Sequence, residues 1–293
     1  MPMRILALID GSPAALQGAR YGARLAKVTG GKVVLLHARS GRIGVPVGEP
    51  TFRREEPVLR TAREDIRSIG AAVEEKVVGG TPGDAIPREL SREAYDMVTL
   101  GNRGLGESHK PSLFLGSTAL YVVRVAQVPV LLVRATEQGI PVGSAGFPFI
   151  TSILVPTDGS LASLDAADLA ARLAAPLHAK ATLLHVHSGH TSQVPEPFLA
   201  DEDLFKVSQE PFHRHGAATE VVRLTGEPAT TILQRARDED YDLIVMGTYG
   251  AGEAWYRRHR MGSVAEMVLI GTPCPVILVK HPVATEINGG RTR

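Results

Sequence analysis

The segment Asp10-Gly11-Ser12 returns 148 positions later as Asp158-Gly159-Ser160, and Leu35-Leu36-His37 returns at the same offset as Leu183-Leu184-His185. Further along, Tyr95-Asp96 returns as Tyr241-Asp242, now 146 positions on. At that second offset Gly101, Gly104, Gly106, Glu107, Gly116 and Ser117 meet Gly247, Gly250, Gly252, Glu253, Gly262 and Ser263. Pro129-Val130 meets Pro275-Val276. The register slips by two residues over the whole half. Self-similarity of this length marks a tandem duplication, so the fold question becomes that of one unit used twice.

Within a unit, strand-like and helix-like segments alternate. In the first, Arg4–Ile9, Lys32–Ala38, Ala72–Val78, Met97–Leu100 and Val130–Val133 read as strands. Ala14–Thr29, Arg54–Ile69, Gly83–Ala94 and Gly116–Ala126 read as helices between them. Ser152–Pro156, Lys180–Val186, Thr219–Arg223, Leu243–Met246 and Val276–Val279 are the corresponding strands of the second. Several are unbroken Val/Ile/Leu runs, as expected of a parallel sheet covered on both faces. The pattern predicts two tandem doubly wound α/β sandwiches, each around a five-stranded parallel sheet. The expected organisation is a domain over residues 1–134, a linker at 135–150, a domain over 151–281 and a polar tail at 282–293. The linker is rich in Gly and Pro and lacks periodicity.

Both glycine segments leave the carboxyl end of a fourth strand, and both Asp-Gly-Ser segments leave the carboxyl end of a first. Ligands of open α/β sheets bind at that edge, at the topological switch point. If strands one and four are neighbours, the two segments face each other. Glycines let main-chain N–H groups approach a phosphate, and Gly116-Ser117 and Gly262-Ser263 then open a helix whose positive end favours an anion. Two copies of this arrangement point to a nucleotide-phosphate cradle rather than to tight turns alone. No G-x-x-x-x-G-K-[ST] loop is present, and neither first strand ends in G-x-G-x-x-G, so neither a P-loop NTPase nor a nicotinamide dehydrogenase is expected.

Composition narrows the classes further. A formal net charge of +1 argues against a nucleic-acid partner. A single cysteine, Cys274, excludes an internal disulfide and a cysteine-based metal cluster. The N-terminal apolar run spans five residues before Asp10, and no run approaches the roughly 20 residues of a membrane span. No membrane association and a cytoplasmic location are the expectations.

Asp-Gly-Ser after strand one, Leu-Leu-His in strand two and the closing G-x-x-G…G-S resemble the universal stress protein family, in its tandem form. The resemblance covers roughly residues 3–134 and 151–280. Eleven residues separate Gly104 from Gly116 and Gly250 from Gly262, where the family pattern has nine. Counting nine back from each Gly-Ser pair reaches Gly106 and Gly252. The resemblance implies a flavodoxin-like sandwich with strand order 3-2-1-4-5 that binds ATP with Mg2+. It places the strand-one acids Asp10 and Asp158 on the nucleoside, and Ala38 and Val186 on the adenine. Leu100 and Met246 precede the glycine loops. Gly101, Gly104, Gly116, Ser117 and Thr118, and Gly247, Gly250, Gly262, Ser263 and Val264, then carry phosphate and ribose contacts. The second half holds the fuller match, Val155-Pro156-Thr157-Asp158-Gly159-Ser160, which brings Pro156 into its site. In this topology Val130–Val133 and Val276–Val279 are sheet edges, and edges invite pairing. The halves are therefore expected to pack as a pseudo-dimer, and a homodimer of whole chains is compatible with this.

Individual residues have plainer readings beside these. Ser12 and Ser160 are good N-caps, with Pro13 at a favoured first helical position, and Ser117 and Ser263 are further cap candidates. Arg103, Lys110, Arg257, Arg258 and Arg260 match phosphate by charge but suit a solvated loop. Trp255 and Tyr256 suit a lid or packing role. Strand alternation puts His185 and His187 on one face, with His190 nearby, an arrangement open to a transition metal. His37 stands at the equivalent place with Arg39 where a second histidine would be, so the histidines are read as polar or core residues. Cys274 aligns with Val128 and reads as a small apolar residue. The functional expectation is an ATP-binding stress or regulatory protein. A slow ATPase or phosphoryl- or nucleotidyl-transfer enzyme and a non-binding scaffold are the alternatives, and no catalytic base is positioned by the sequence.

Overall fold

The computed structural model describes residues 1–39, 57–102, 104, 115–134, 150–188, 201–250 and 261–281. The first half runs β1 (Arg4–Leu8), α1 (Pro13–Val28), β2 (Lys32–Arg39), α2 (Pro57–Ile69), β3 (Ala72–Gly79), α3 (Pro82–Arg92), β4 (Met97–Gly101), α4 (Ser117–Val125) and β5 (Val130–Val133). The second runs β6 (Ser152–Pro156), α5 (Leu161–Leu177), β7 (Lys180–His187), α6 (Asp201–His215), β8 (Thr219–Thr225), α7 (Pro228–Asp238), β9 (Leu243–Gly247), α8 (Ser263–Gly271) and β10 (Val276–Val279).

The strands form one sheet, in the order β3-β2-β1-β4-β5-β10-β9-β6-β7-β8. Each half contributes the expected 3-2-1-4-5 order, and the two five-stranded sets join into one sheet at the edge strands expected to pair. β10 pairs with β5 antiparallel, Val276 opposite Leu132 and Leu278 opposite Val130, and fuses the halves into ten strands. Four apolar residues on each of these strands, all buried, explain the fusion. Left at an edge, either strand would expose a row of unpaired ladder groups and apolar side chains together.

Strand alternation sorts the core into two layers. Ile5, Ala7 and Ile9 of the first strand segment, with Leu131 and Ile277, pack under α1, α2, α5 and α6. Leu6 and Leu8, with Leu132, Val276 and Leu278, pack under α3, α4, α7 and α8. Both layers run unbroken through the junction of the halves. The same alternation carries the residue after Ile9, Asp10, toward the α3/α4 side. Helix starts are set locally: Ser12 precedes Pro13 in α1, Ser160 precedes α5, and Pro82 and Pro228 occupy the first position of α3 and α7. Among the described residues no helix is long and apolar enough to cross a membrane.

Candidate functional site

β1 lies beside β4, and β6 beside β9, so the Asp-Gly-Ser turns do face the glycine loops. Each turn is shaped by its own aspartate. The Ser12 N–H donates to Asp10 Oδ1 at 2.9 Å and the Ser160 N–H to Asp158 Oδ1 at 3.0 Å, over Gly11 at φ +91 and Gly159 at φ +80. Ser12 Oγ then accepts from the Ala15 N–H and Ser160 Oγ from the Ser163 N–H, both at 3.2 Å, so both serines cap as expected. The second carboxylate oxygen reaches across the crevice. A Cβ on Gly104 would stand 2.6 Å from Asp10 Oδ2, and one on Gly250 would stand 2.6 Å from Asp158 Oδ2. A side chain at either glycine would have to displace the facing carboxylate from the place it holds.

The loops close in the same way in both halves. Gly116 donates its N–H to Asn102 O, and Gly262 to Thr248 O, each at 2.8 Å. The cap positions of α4 and α8 are these glycines, with no side-chain cap bond. This corrects the cap expectation for Ser117 and Ser263, which stand one place further on, inside the first turn. The first-turn N–H groups therefore receive no side-chain acceptor from the cap residue. Gly101 and Gly247 also have a packing reason to be glycine. A Cβ on Gly101 would meet Ala14 Cβ at 2.6 Å, and one on Gly247 would meet Ala162 Cβ at 3.0 Å.

In the first half these elements enclose a cleft of about 360 Å3. Leu8, Leu36, Ala38, Ile86 and Leu100 form an apolar wall with Pro82, while Asp10, Gly104, Gly116, Ser117 and Thr118 supply its polar groups. Every first-half site residue read from the sequence lines this cleft, Gly101 included, except Gly106, which lies outside the described residues. Pro82 and Ile86 of α3 were missed, as were the wall residues Leu8 and Leu36. The repeat carried the signal for the α3 pair, since Pro82 and Ile86 recur as Pro228 and Ile232.

In the second half, Asp158 faces Gly250 as described, and Met246, Val186 and Val264 share one apolar layer with Leu184 and Ile232. Pro156 ends β6, buried. Gly252 lies outside the described residues, as do Arg103, Lys110, His190, Trp255, Tyr256, Arg257, Arg258 and Arg260. The two halves differ at the helix beside the cleft. Glu227 caps α7, accepting from the N–H groups of Ala229 at 3.1 Å and Thr230 at 2.7 Å. The Thr230 side chain first, then the N–H groups of Thr230 and Ala229, hold its carboxyl below the usual carboxylate range. Its counterpart Thr81 makes no side-chain cap bond on α3.

Two of the candidate histidines have main-chain partners. His185 Nδ1 lies 2.9 Å from Thr157 O and His37 Nδ1 lies 2.7 Å from Ile9 O. Among the described residues no group of three or more His, Cys, Asp or Glu could hold a metal ion. Burial pushes the Cys274 thiol up to about 11, which disfavours the reactive thiolate.

The sequence pattern of the universal stress protein family matches residues 1–134 and again residues 150–280. The chain belongs to that family. A universal stress protein of Mycobacterium tuberculosis is 27% identical to it over 304 residues, which covers 94% of this chain and 96% of that protein. One from Methanocaldococcus jannaschii is 32% identical over 141 residues, 44% of this chain and 82% of that protein. The crystal structure of a universal stress protein from Archaeoglobus fulgidus superposes with a TM-score of 0.68 at 21% identity, over 96% of this chain and 97% of that one. At that identity the likeness carries the tandem fold, and a universal stress protein fold with both halves present is what this chain adopts.

Proposed function

We propose that this universal stress protein binds adenine nucleotide, ATP with magnesium, in the crevice of each half, as a ligand rather than as a substrate to be turned over. The observation that carries the reading is the first-half cleft. Its size falls within the roughly 300–1,000 Å3 typical of small-molecule sites. Its apolar wall of Leu36, Ala38, Ile86 and Leu100 suits a purine, and its polar groups suit ribose and phosphate. Asp10 is the acceptor available to a ribose hydroxyl. The α4 N-terminus, with no side-chain cap, offers N–H groups and a positive dipole end to a phosphate. The residues present therefore fit the ligand that the family resemblance implies.

The test is calorimetric titration of the folded full chain with ATP and magnesium. Saturable uptake is expected, with Asp10→Ala and Gly116→Val each lowering the affinity of the first-half cleft at least about tenfold. Unchanged affinity in both folded variants sinks the assignment of that cleft.

A further inference from the structure

The helices that begin at the two Gly-Ser pairs are each held at their far ends by the opposite half. α4 turns its N-terminal end, Gly116 to Thr118, to the first-half cleft, and Gly262 to Val264 begin α8 in the same way. At the other end of α4, Lys280 donates from Nζ to Arg124 O at 2.7 Å and to Ala126 O at 2.9 Å. At the other end of α8, Arg134 donates from Nη1 to Ile270 O at 2.6 Å. The exchange is reciprocal to the residue. Arg134 and Lys280 stand 146 positions apart, and so do the acceptors Arg124 and Ile270.

Each cation also follows directly on a residue bonded to its own glycine loop. Val279 lies opposite Gly247 in the sheet, and its carbonyl accepts from the Thr248 N–H at 2.8 Å and from Thr248 Oγ1 at 2.9 Å. Lys280 is the next residue. Val133 lies opposite Gly101 and accepts from the Asn102 N–H at 2.8 Å, and Arg134 is the next residue. A continuous path of short bonds therefore runs from the loop of one half, through a cation, to the helix that begins at the Gly-Ser pair of the other.

We propose that Lys280 and Arg134 are positioning residues for the cleft of the opposite half, each anchoring the helix whose N-terminal end receives the anionic ligand. The proposal rests on the nucleotide reading above. Its physics is that of one short helix with two charged ends. α4 has nine residues, roughly 13 Å of helix. A cation on its last carbonyls and an anion on its first N–H groups stabilise the same ordered helix, so each favours the other. Ordering the helix once, by either group, lowers what the second must supply. The halves are not equal in this. α8 has a further tether within its own half, Arg237 Nη2 to Gly271 O at 3.0 Å. The residue matching Arg237 is Ser91, whose hydroxyl bonds Arg88 O inside α3. Lys280 therefore carries more of the anchoring than Arg134.

The experiment titrates the full chain with ATP and magnesium after blocking one cleft at a time, the second by Gly262→Val and the first by Gly116→Val. Lys280→Met is expected to weaken the first cleft about threefold to tenfold, from the range of charge–dipole effects, while the second cleft stays within about twofold. Lys280→Arg is expected to restore most of the loss, and Arg134→Met to give the smaller mirror image. Equal weakening of both clefts by Lys280→Met, or weakening of neither, overturns the proposal. If the unaltered protein takes up no nucleotide, the nucleotide reading fails by itself and amide exchange decides the anchoring. Faster exchange in α4 than in α8 for Lys280→Met supports it, and equal or unchanged rates overturn it.

Discussion

Ile9, Ala15 and Ala62 in the first half stand where the second half has Thr157, Ser163 and Ser208. All six are buried. In the second half the hydroxyls form a cluster, with Thr157 Oγ1 3.3 Å from Ser163 Oγ and 3.4 Å from Ser208 Oγ, and Ser163 Oγ donating to Ser160 O at 2.9 Å. Yet the turn these residues support is the same in both halves. Asp10 and Asp158 each bring a carboxylate oxygen to the same 2.6 Å from the place a Cβ would take on the facing glycine. The duplication has kept the juxtaposition of acid and glycine while the means of packing behind it diverged. Where two copies of one unit agree in chemistry despite different surroundings, the agreement marks the site.

The sharpest difference between the halves is at the joint between α1 and β2. The first half has Gly30-Gly31 there and the second has His178-Ala179. A Cβ on Gly31 would stand 1.9 Å from Met3 O, whereas Ala179 is accommodated and buried. Gly31→Ala is expected to destabilise the chain by about 3 kcal/mol, since a backbone atom and not a movable side chain blocks the methyl. Urea unfolding measures this, and a loss below about 1 kcal/mol would mean the two joints are equivalent after all.

The hydroxyl cluster gives the next largest effect. Ala62→Ser is expected to cost about 1–3 kcal/mol, because it puts a hydroxyl into the fully buried apolar layer under α1 and α2, where the first half has Ile9 and Ala15 in place of the second half's hydroxyl partners. Ser208→Ala should cost about 1 kcal/mol by removing one of the two hydroxyl partners of Thr157. Thr157→Val, Ser163→Ala and Ser208→Ala together should be nearly neutral, as removing all partners leaves no orphan. A triple variant less stable than the sum of the singles would show that the cluster is a cooperative network with no first-half equivalent. Smaller again is the left-handed position. His178 holds φ 54 where Gly30 holds φ +70. His178→Gly should stabilise by about 1 kcal/mol, measurable as a rise in Tm.

Much of this was legible in the sequence because duplication supplied a second reading of every segment. The order of elements, the acid–glycine juxtaposition and the places of Asp10, Gly104, Gly116 and Ser117 followed from positions that recur, while Ala38, Leu100 and Thr118 came from the family resemblance. Pro82 and Ile86 recur too, but α3 begins like any proline-started helix, and nothing in its own pattern announces a cleft wall. The merging of the sheets was legible in part: Val130–Val133 and Val276–Val279 read as edges that invite pairing, but nothing in either strand's own pattern says that they pair directly with each other and antiparallel. The cross-half bonds of Lys280 and Arg134 had no signal, since a cation one residue past a strand is commonplace until the helix end opposite it is known.

The last contrast is electrostatic. In the first half, Glu93 takes hydrogen bonds from Arg4 and Lys76, and Lys76 also reaches Glu89 at 2.6 Å. The second half has Ser152 and Val222 in place of the two cations, and Arg235 in place of Glu89, paired with Glu239 at 2.7 Å. Lys76 first, then Arg4, holds the Glu93 carboxyl down at about 2. A carboxyl lowered on folding stabilises the fold at pH values above its unfolded range, near 4.5, and loses that contribution as pH falls toward 2. Glu93→Gln should therefore flatten the acid limb of first-half stability between those values and leave the second half unchanged. Amide exchange resolves the halves separately: protection of α3 and β3 should vary less with pH in the variant, while α7 and β8 should not respond. The effect is the smallest of the set, because the Glu93 carboxylate is only half-buried and salt screens such pairs. Its disappearance in high salt, with the difference between halves intact for Gly31→Ala and Ala62→Ser, would separate the charge contrast from the packing contrast.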